Sequence, residues 1–386
     1  MATLTYKTAG ESHGKTLLTL IEGLPAGVTI DKPLIDAELR RRQGGYGRGG
    51  RQRIETDQVE VLTGIRRGKS TGAPIALQVI NKDSRIDESP AVSRPRPGHA
   101  DLAGSLKWLT TDCRETLERA SARETAARVS AGGLAKCFLN AFGIRVVGFV
   151  TAVGSASASQ INVSDIDRLI AARDASDVYC PDDQASEKMR AVIRQAKIDG
   201  DTAGGLCEVH VFGCPPGLGT CVQWDQRLDS RLAAAVMGIQ AFKSVEIGMG
   251  KEVAFLPGSK VHDPIAFDES LKNTPCLGFT RRSNNAGGVE GGMTNGQPVI
   301  VRGAMKPIAT LLQPLESVDL NTKATDKAAY ERSDVCAVSA ASVVMEAVIA
   351  FEIARAFLEK FGGDSLTEVQ ANYDSYLELA RKLPRT

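Results

Sequence analysis

The sequence predicts an α+β protein, and three observations lead to this class. Of its 386 residues, 42% are hydrophobic and 24% are charged, the balance of a folded protein with a large core. Long segments with helical spacing are interspersed with short segments that alternate as strands do. Their order lacks the regular strand, helix, strand rhythm of a doubly wound parallel sheet. No linker divides the chain, so we expect a single domain over residues 1–386.

Local signals place the elements. Asp31, Lys32 and Pro33 combine a capping side chain with an early proline, which predicts a helix that runs into Arg40, Arg41 and Arg42. Apolar residues at helical spacing predict further helices at 114–141, 164–173, 184–197, 225–242, 338–361 and 367–381. Strands are predicted at 144–153 and 206–212.

Composition excludes several classes of function. The net charge of +1 offers no global field for nucleic acid or a membrane surface. The start of the chain lacks a secretory signal, and Glu346 and Glu352 interrupt the most apolar stretch, 340–357. The eight cysteines form no CxxC pair, so we expect reduced thiols and no metal site. We expect a cytoplasmic protein without nucleic-acid or membrane partners.

Two of the four histidines lie in glycine-bracketed polar loops, which favours proton chemistry. His13 belongs to GESHG at 10–14, and His99 belongs to RPGHAD at 96–101. Imidazole titrates near neutrality, and glycine lets a backbone or ligand approach closely. His210 and His262 lack such surroundings, and we expect them to be core or solvated residues.

An arginine-rich loop predicts a polyanionic ligand. Between Leu39 and Ile54 there are six arginines and no acid. Guanidinium groups bind phosphate and carboxylate in bidentate fashion, and glycine exposes backbone N–H groups to the same ligand. A solvated basic loop is the alternative. The GxGxxG pattern at 45–50 follows a helix rather than a strand, so it does not indicate a dinucleotide site.

Seven segments in this order resemble the chorismate synthase family. The resemblance runs from Gly10 to beyond Ala347. The segments are GESHG at 10–14, RRRQGGYGRGGR at 40–51, RPGHAD at 96–101, RASARETAARV at 119–129, SNNAGGVEGGMTNG at 283–296, KPIAT at 306–310 and RSD at 332–334. The resemblance implies a β-α-β sandwich, with antiparallel sheets enclosing long helices, assembled as a homotetramer.

The resemblance also implies a reaction. The family converts 5-enolpyruvylshikimate 3-phosphate to chorismate and phosphate, the last step of the shikimate pathway to aromatic amino acids. This is a 1,4-elimination in which the 3-phosphate leaves and a hydrogen is removed from C6. Substrate and product do not differ in oxidation state, yet the family requires reduced FMN (FMNH2). The cofactor is needed because the C6 hydrogen is too weakly acidic for an ordinary side-chain base. The chain has no room for a flavin-reductase domain, so we expect an external source of reduced flavin.

Catalytic roles are implied at three matching positions. His13 matches the histidine that assists departure of the phosphate, and His99 matches the one that protonates reduced flavin near N1. Asp334 matches the carboxylate that takes a proton from flavin N5. Arg332 would favour the ionised form of Asp334 if their side chains meet.

Binding roles are implied in the same way. The cofactor-binding positions are Arg119, Ala120, Ser121, Gln240, Ala241, Gly291, Lys306, Pro307, Ile308, Ala309, Thr310 and Arg332. The substrate-binding positions are Ser12, Arg42, Arg48 and Arg123. Arg42 and Arg48 match positions assigned to a nicotinamide nucleotide (NADP) or to the anionic substrate, and we favour the substrate. Gln240 departs from the asparagine common at that position. An FMN-dependent oxidoreductase and a phosphate- or RNA-binding module are the alternative functions.

Overall fold

The computed structural model describes residues 3–50, 54–159, 161–331 and 333–383. The helices of this part of the chain are α1 (Lys32–Gln43), α2 (Asp101–Trp108), α3 (Arg114–Ala120), α4 (Thr125–Asn140), α5 (Ile166–Ala175), α6 (Asp183–Ile198), α7 (Leu228–Met237), α8 (Gly258–Val261), α9 (Val338–Phe361) and α10 (Leu366–Arg381). The strands are β1 (Thr5–Ala9), β2 (Thr16–Glu22), β3 (Glu60–Val61), β4 (Ile65–Arg66), β5 (Lys69–Ser70), β6 (Ile75–Ile80), β7 (Arg145–Val153), β8 (Ala156–Ser157), β9 (Gly205–Phe212), β10 (Phe242–Ile247), β11 (Ile265–Phe267), β12 (Phe279–Arg281), β13 (Val289–Glu290), β14 (Met293–Thr294), β15 (Val299–Met305), β16 (Glu316–Val318) and β17 (Thr325–Lys327).

Two antiparallel sheets enclose a layer of helices. One sheet has the strand order β1-β2-β6-β3, and the other has the order β10-β15-β9-β7-β8. Helix α4 packs against the first sheet, α9 packs against β7 and β9 of the second, and the two helices pack against each other. The expected α+β class and the expected sandwich of antiparallel sheets around long helices are both confirmed.

Small residues bring the central helices close together. At Gly132 of α4, an added Cβ would lie 2.4 Å from the Cβ of Ala347 on α9, which is too close for two carbon atoms. At the adjacent Gly133, an added Cβ would lie 3.1 Å from Cγ1 of Ile35 on α1. Native cores have few voids, so this layer depends on the missing side chains of both glycines.

A buried ionic cluster joins the helices where α9 is otherwise apolar. Glu346 is 1% exposed and accepts hydrogen bonds from Arg41, Lys136 and Arg173, and from the N–H of Gly148 at 2.6 Å. Burial opposes ionisation, but Arg41 and the other cations hold the pKa of Glu346 well below its usual range. Arg41 therefore points into the core and does not take part in anion binding.

Most predicted elements are confirmed, and the first helix shows the local reason. The side chain of Asp31 accepts a hydrogen bond from the N–H of Leu34, and proline follows in the first turn. The predicted strands at 144–153 and 206–212 and the helices at 164–173, 184–197, 338–361 and 367–381 agree with the structure within a few residues.

The single helix predicted at 114–141 is wrong, because the chain breaks at Ser121. This residue is extended, with φ −63° and ψ 144°, and its side chain accepts a hydrogen bond from the N–H of Arg123. Helix α3 ends before the break, and after one 3₁₀ turn helix α4 begins at Thr125. Serine competes for backbone hydrogen bonds in this way and so favours helix ends.

The helix predicted at 225–242 is also too long. Helix α7 ends at Met237, and Phe242 already belongs to strand β10. Between them, Ala241 has a φ of +70°, a left-handed conformation that a helix cannot contain. The break exposes Gln240 and Ala241 to the cleft described below.

Candidate active site

The cleft that gathers the predicted site residues has a volume of about 510 Å³. This falls within the range of small-molecule sites, roughly 300–1,000 Å³. Among the described residues, cations outnumber carboxylates in its wall. The cations are Arg42, Arg48, Arg85, Arg96, Arg123 and Lys306, and the carboxylates are Glu55, Asp83, Glu331 and Asp334. Such a wall favours a polyanionic ligand.

His13 lies in the turn between β1 and β2 and is backed by a buried carboxylate. Its backbone N–H donates to Oε2 of Glu118 at 2.8 Å, and its Nδ1 lies 3.0 Å from the same oxygen. Its Nε2 lies on the cleft side, 3.8 Å from Oδ2 of Asp83. The preceding Gly10 has a φ of +108°, and an added Cβ would lie 2.3 Å from the carbonyl oxygen of Thr16, so the turn requires glycine.

His99 lies in the loop before α2 and is also backed by a carboxylate. Its Nδ1 contacts Oδ1 of Asp101, which is fully buried and also accepts from Nε of Arg96 at 2.8 Å. Burial opposes ionisation of Asp101, but His99 and Arg96 hold its pKa well below the usual range. Nη2 of Arg96 lies 3.1 Å from the same Nδ1, so the ring is held by both groups. The other two histidines are outside the cleft, with His210 buried and His262 exposed, as predicted.

Asp334 faces the arginine-rich loop. Its Oδ1 accepts from the N–H of Gly49 at 2.6 Å, and its Oδ2 lies 3.1 Å from Nη1 of Arg48. Arg48 is thus a cation that pairs with Asp334 in the described part of the chain. Arg332, which was expected to pair with Asp334, lies outside the described residues, as do Arg51 and Arg53.

Arg42 lines the cleft, but its donors are engaged inside the protein. Nε donates to Thr125 at 2.8 Å, Nη2 donates to the carbonyl of Ala122 at 3.0 Å, and Nη1 lies 3.4 Å from Asp57. Burial, opposed by Asp57, lowers the pKa of Arg42 to about 9. Nη1 of Arg123 is likewise paired with Asp57, at 2.7 Å.

The segments assigned to the cofactor meet along the cleft. Those that line it are Ser121 and its neighbour Ala120, Gln240, Ala241, Lys306, Ile308, Ala309 and Thr310. Nζ of Lys306 donates to the carbonyl of Gly98 at 2.8 Å, and Oγ1 of Thr310 accepts from Arg96 at 3.0 Å. Burial, with a smaller effect of Lys243, lowers the pKa of Lys306. The loop of His99 and the segment 306–310 are therefore joined.

Gln240 carries the clearest sign of a missing polar partner. Its Nε2 donates to Oε2 of Glu124 at 3.1 Å, which orients the amide. Its Oε1 is buried and accepts no hydrogen bond within the described part of the chain. Buried acceptors without a donor are rare in folded proteins, so this oxygen indicates a donor supplied by a ligand.

Three of the assigned positions do not line the cleft. Arg119 donates to the carbonyls of Gly10 and Thr8 at 3.0 and 3.1 Å and supports the turn of His13. Pro307 lies between two lining residues, and Gly291 lies in the turn of the β13–β14 hairpin.

Sequence reasoning missed the carboxylates that hold the site together. Glu118 and Asp57 carry no signal of their own, because their partners lie far away along the chain. Asp101 lies inside the RPGHAD motif, so its closeness to His99 was within reach of the sequence.

The arrangement combines an anion-binding wall with two imidazoles, each backed by a carboxylate. Among the described residues, no set of three or more metal-ligating side chains is arranged to hold an ion. In the same part of the chain, no helix is long and apolar enough to cross a membrane. The fold and the cleft together define an enzyme with a site suited to a polyanionic small molecule.

Comparisons with known proteins identify the family. The family model of chorismate synthase matches residues 4–358. The chorismate synthase of Geobacter metallireducens is 53% identical over 98% of this chain and 99% of its own length. That of Desulforamulus reducens is 51% identical over 98% of this chain and its entire length. A crystal structure of chorismate synthase, 39% identical, superposes with a TM-score of 0.80 over 99% of both chains. The chain belongs to the chorismate synthase family, whose members are lyases.

Proposed function

We propose that the chain converts 5-enolpyruvylshikimate 3-phosphate to chorismate and phosphate, with reduced FMN as cofactor. The observation that carries this proposal is the convergence of His13, His99 and Asp334 with several arginines in one cleft of about 510 Å³. The substrate brings a phosphate and two carboxylates, and the flavin brings a further phosphate. This amount of negative charge suits a wall rich in guanidinium groups and backbone donors.

Two arginines support the binding of the anionic substrate. Nε of Arg48 is buried and makes no hydrogen bond among the described residues. Nη2 of Arg123 is also buried and makes no hydrogen bond in this part of the chain, but it lies 3.6 Å from Oε2 of Glu55. A substrate phosphate or carboxylate would supply an acceptor for both donors. The donors of Arg42 are already hydrogen-bonded within the protein. We therefore propose that Arg42 holds the cleft wall in place and attracts the same anion by its charge, without contacting it.

His13 would act at the leaving phosphate. Its Nε2 lies on the cleft side, and its Nδ1 is held by Glu118. An imidazolium at this position neutralises charge on the phosphate and donates a proton from Nε2 as the C–O bond breaks. The electron pair of that bond leaves on the phosphate.

The cofactor-facing residues fit a flat, polar group. Gln240 offers an unsatisfied acceptor, and Ser121 and the segment 306–310 line the same wall. Reduced FMN, when bound, supplies electron density and assists removal of the C6 hydrogen. His99 lines the cleft with its Nδ1 held by Asp101. The carboxylate of Asp334, which lies beside Arg48, would act as the proton acceptor.

The remaining features of the family are part of the proposal. We expect a single domain over the whole chain, a homotetramer and a cytoplasmic location. We also expect reduced flavin to come from a separate source, with NADP as a nucleotide that could serve that source. Arg42 and Arg48 are assigned to the substrate in preference to NADP.

The test is an anaerobic assay with 5-enolpyruvylshikimate 3-phosphate and photoreduced FMN, in which chorismate and phosphate are measured. Equal amounts of both products, formed over many turnovers per flavin, are expected. Absence of both products would overturn the proposal. Oxidation of one reduced FMN for each substrate consumed would favour an oxidoreductase instead.

A further inference from the structure

The carboxylate of Glu118 contacts His13 from an element far away in the sequence. Glu118 lies on α3, 105 residues after His13, and its side chain is 1% exposed. One oxygen accepts the backbone N–H of His13 at 2.8 Å, and both oxygens lie 3.0 to 3.1 Å from Nδ1. A single carboxylate therefore fixes both the backbone and the ring of this residue.

Glu118 is itself fixed by an arginine one turn earlier on α3. Nη1 of Arg114 lies 3.2 Å from Oε1 of Glu118, and its Nη2 lies 2.9 Å from Oε1 of Glu331. Nε of Arg114 donates to the carbonyl of Pro90 at 3.1 Å. Burial opposes ionisation, but the hydrogen bonds from His13 and the ion pair with Arg114 hold the pKa of Glu118 below its usual value. The carboxylate is thus charged and rigid where it meets the ring.

We propose that Glu118 is a positioning residue that sets the tautomer and orientation of His13 for proton donation to the leaving phosphate. This inference rests on the proposed function. A carboxylate on Nδ1 keeps hydrogen on that nitrogen and turns Nε2 to the cleft. As the C–O bond breaks, the proton on Nε2 passes to a phosphate oxygen. The ring is left neutral, and its Nδ1–H still donates a hydrogen bond to Glu118.

The chain contains a matched pair outside the cleft. Oε1 of Glu208 lies 2.6 Å from Nε2 of the buried His210, and neither residue lines the cleft. Glu208→Gln therefore removes the same charge from the same kind of contact without touching the site. Any effect of Glu118→Gln that Glu208→Gln shares is a general effect of losing a carboxylate that pairs with a histidine.

The first experiment measures kcat under anaerobic conditions for the wild type and both variants. For Glu118→Gln we expect kcat to fall on the order of 10- to 100-fold, less than the loss of a complete acid–base group can cost. Glu208→Gln should stay within about twofold of the wild type, as expected away from the chemistry.

The outcomes separate the two proposals. A wild type that forms no chorismate would overturn the proposed function. An active wild type together with a Glu118→Gln variant of unchanged kcat would overturn the role of Glu118 alone. Equal losses in Glu118→Gln and Glu208→Gln would overturn it as well.

A second experiment needs no turnover. With only four histidines, ¹⁵N spectra of the labelled protein can be assigned by replacing each in turn. We expect the neutral ring of His13 to carry its hydrogen on Nδ1 in the wild type and to lose this single preference in Glu118→Gln, since an amide can donate as well as accept. Unchanged tautomer populations would contradict the assignment.

Arg114→Gln distinguishes positioning from simple support of the fold. This variant removes the ion pair of α3 but leaves the Glu118 carboxylate against the ring. We expect it to keep the Nδ1 tautomer of the wild type. If Arg114→Gln reproduces the tautomer change of Glu118→Gln, the carboxylate has no separate role.

Discussion

The two histidines of the cleft are held by the same chemistry but by different parts of the chain. His99 is backed by Asp101, only two residues later, and both lie in one loop. His13 is backed by Glu118, 105 residues later on another element. A local partner is set as soon as its loop forms, whereas a distant partner is in place only when α3 packs beside the turn of His13.

The surroundings of the two pairs also differ. Asp101 is fully buried and pairs with Arg96, which also donates a hydrogen bond to Thr310 of the cofactor-facing segment. Glu118 pairs with Arg114, which also pairs with Glu331, three residues before Asp334. One histidine is thus connected to the proposed flavin side of the cleft, and the other is connected to the substrate side.

Replacing the two histidines tests this division most strongly. His13→Ala should reduce turnover by about 10²- to 10⁴-fold, the usual value of an acid–base group, while reduced FMN still binds. His99→Ala should weaken the binding of reduced FMN as well as turnover. Stopped-flow kinetics and anaerobic flavin titration measure the two effects.

The exposed His262 supplies the control, and His262→Ala should retain both properties. Unchanged turnover in His13→Ala would remove this residue from the mechanism. Equal loss of flavin binding in both cleft variants would erase the distinction between the two regions.

Loss of the carboxylate beside His99 should lower the free energy of unfolding strongly. Asp101→Asn leaves Arg96 buried without its carboxylate, and breaking a buried ion pair costs about 3–5 kcal/mol. The pKa of Asp101 is lower in the folded than in the unfolded chain, so this stability is present above about pH 4 and is lost as the pH falls further. Urea unfolding should therefore show a wide gap from the wild type at pH 7 that narrows in acid.

The surface pair of Arg227 and Asp229 provides a comparison at similar distance, 2.6 Å. Asp229→Asn should leave the urea midpoint unchanged within error, because exposed ion pairs contribute little. A gap that widens in acid for Asp101→Asn would contradict the lowered pKa.

Asp334→Asn tests the third residue to which proton transfer is assigned. An amide oxygen can still accept from the N–H of Gly49, so the loop should keep its shape while the proton acceptor is lost. We expect FMN to bind normally and elimination to slow by about 10²-fold, the lower range for an acid–base group. Asp326→Asn, in an exposed pair with Arg94, is the control, and full activity of Asp334→Asn would exclude the proposed role.

The smallest effect is expected at the link between the His99 loop and the segment 306–310. Lys306→Met removes the hydrogen bond to the carbonyl of Gly98, a contribution of about 1 kcal/mol. Affinity for reduced FMN should fall about fivefold at nearly constant kcat, as that free energy implies. Lys243→Met, at an exposed neighbour on β10, should leave the affinity unchanged. Loss of kcat without loss of affinity in Lys306→Met would place the lysine in the chemistry instead.

Much of the fold could be predicted from local pattern. Apolar spacing and caps located the helix after Asp31 and the long buried helix from Val338, because both signals act within a few turns. The breaks at Ser121 and Ala241 could not be found in this way. Each depends on packing and backbone geometry that propensity alone does not encode.

The candidate site shows the same limit. The motifs located His13, His99 and most of the lining, and the resemblance supplied their expected roles. Sequence could not separate Arg41, which points to Glu346 in the core, from Arg42 one residue later in the cleft wall. On a helix, neighbouring residues face directions about 100° apart, and the surrounding layers decide which direction is the core.

The sequence by itself determined the α+β class, the principal helices, the family and the loop in which His99 meets Asp101. Each of these depends on residues close together in the chain or on motifs that can be read in order. Only the tertiary structure decided that Glu118 supports His13, that Arg48 faces Asp334 and that Arg42 is already engaged. Such contacts join distant segments, and their geometry is fixed only when two sheets close around one layer of helices.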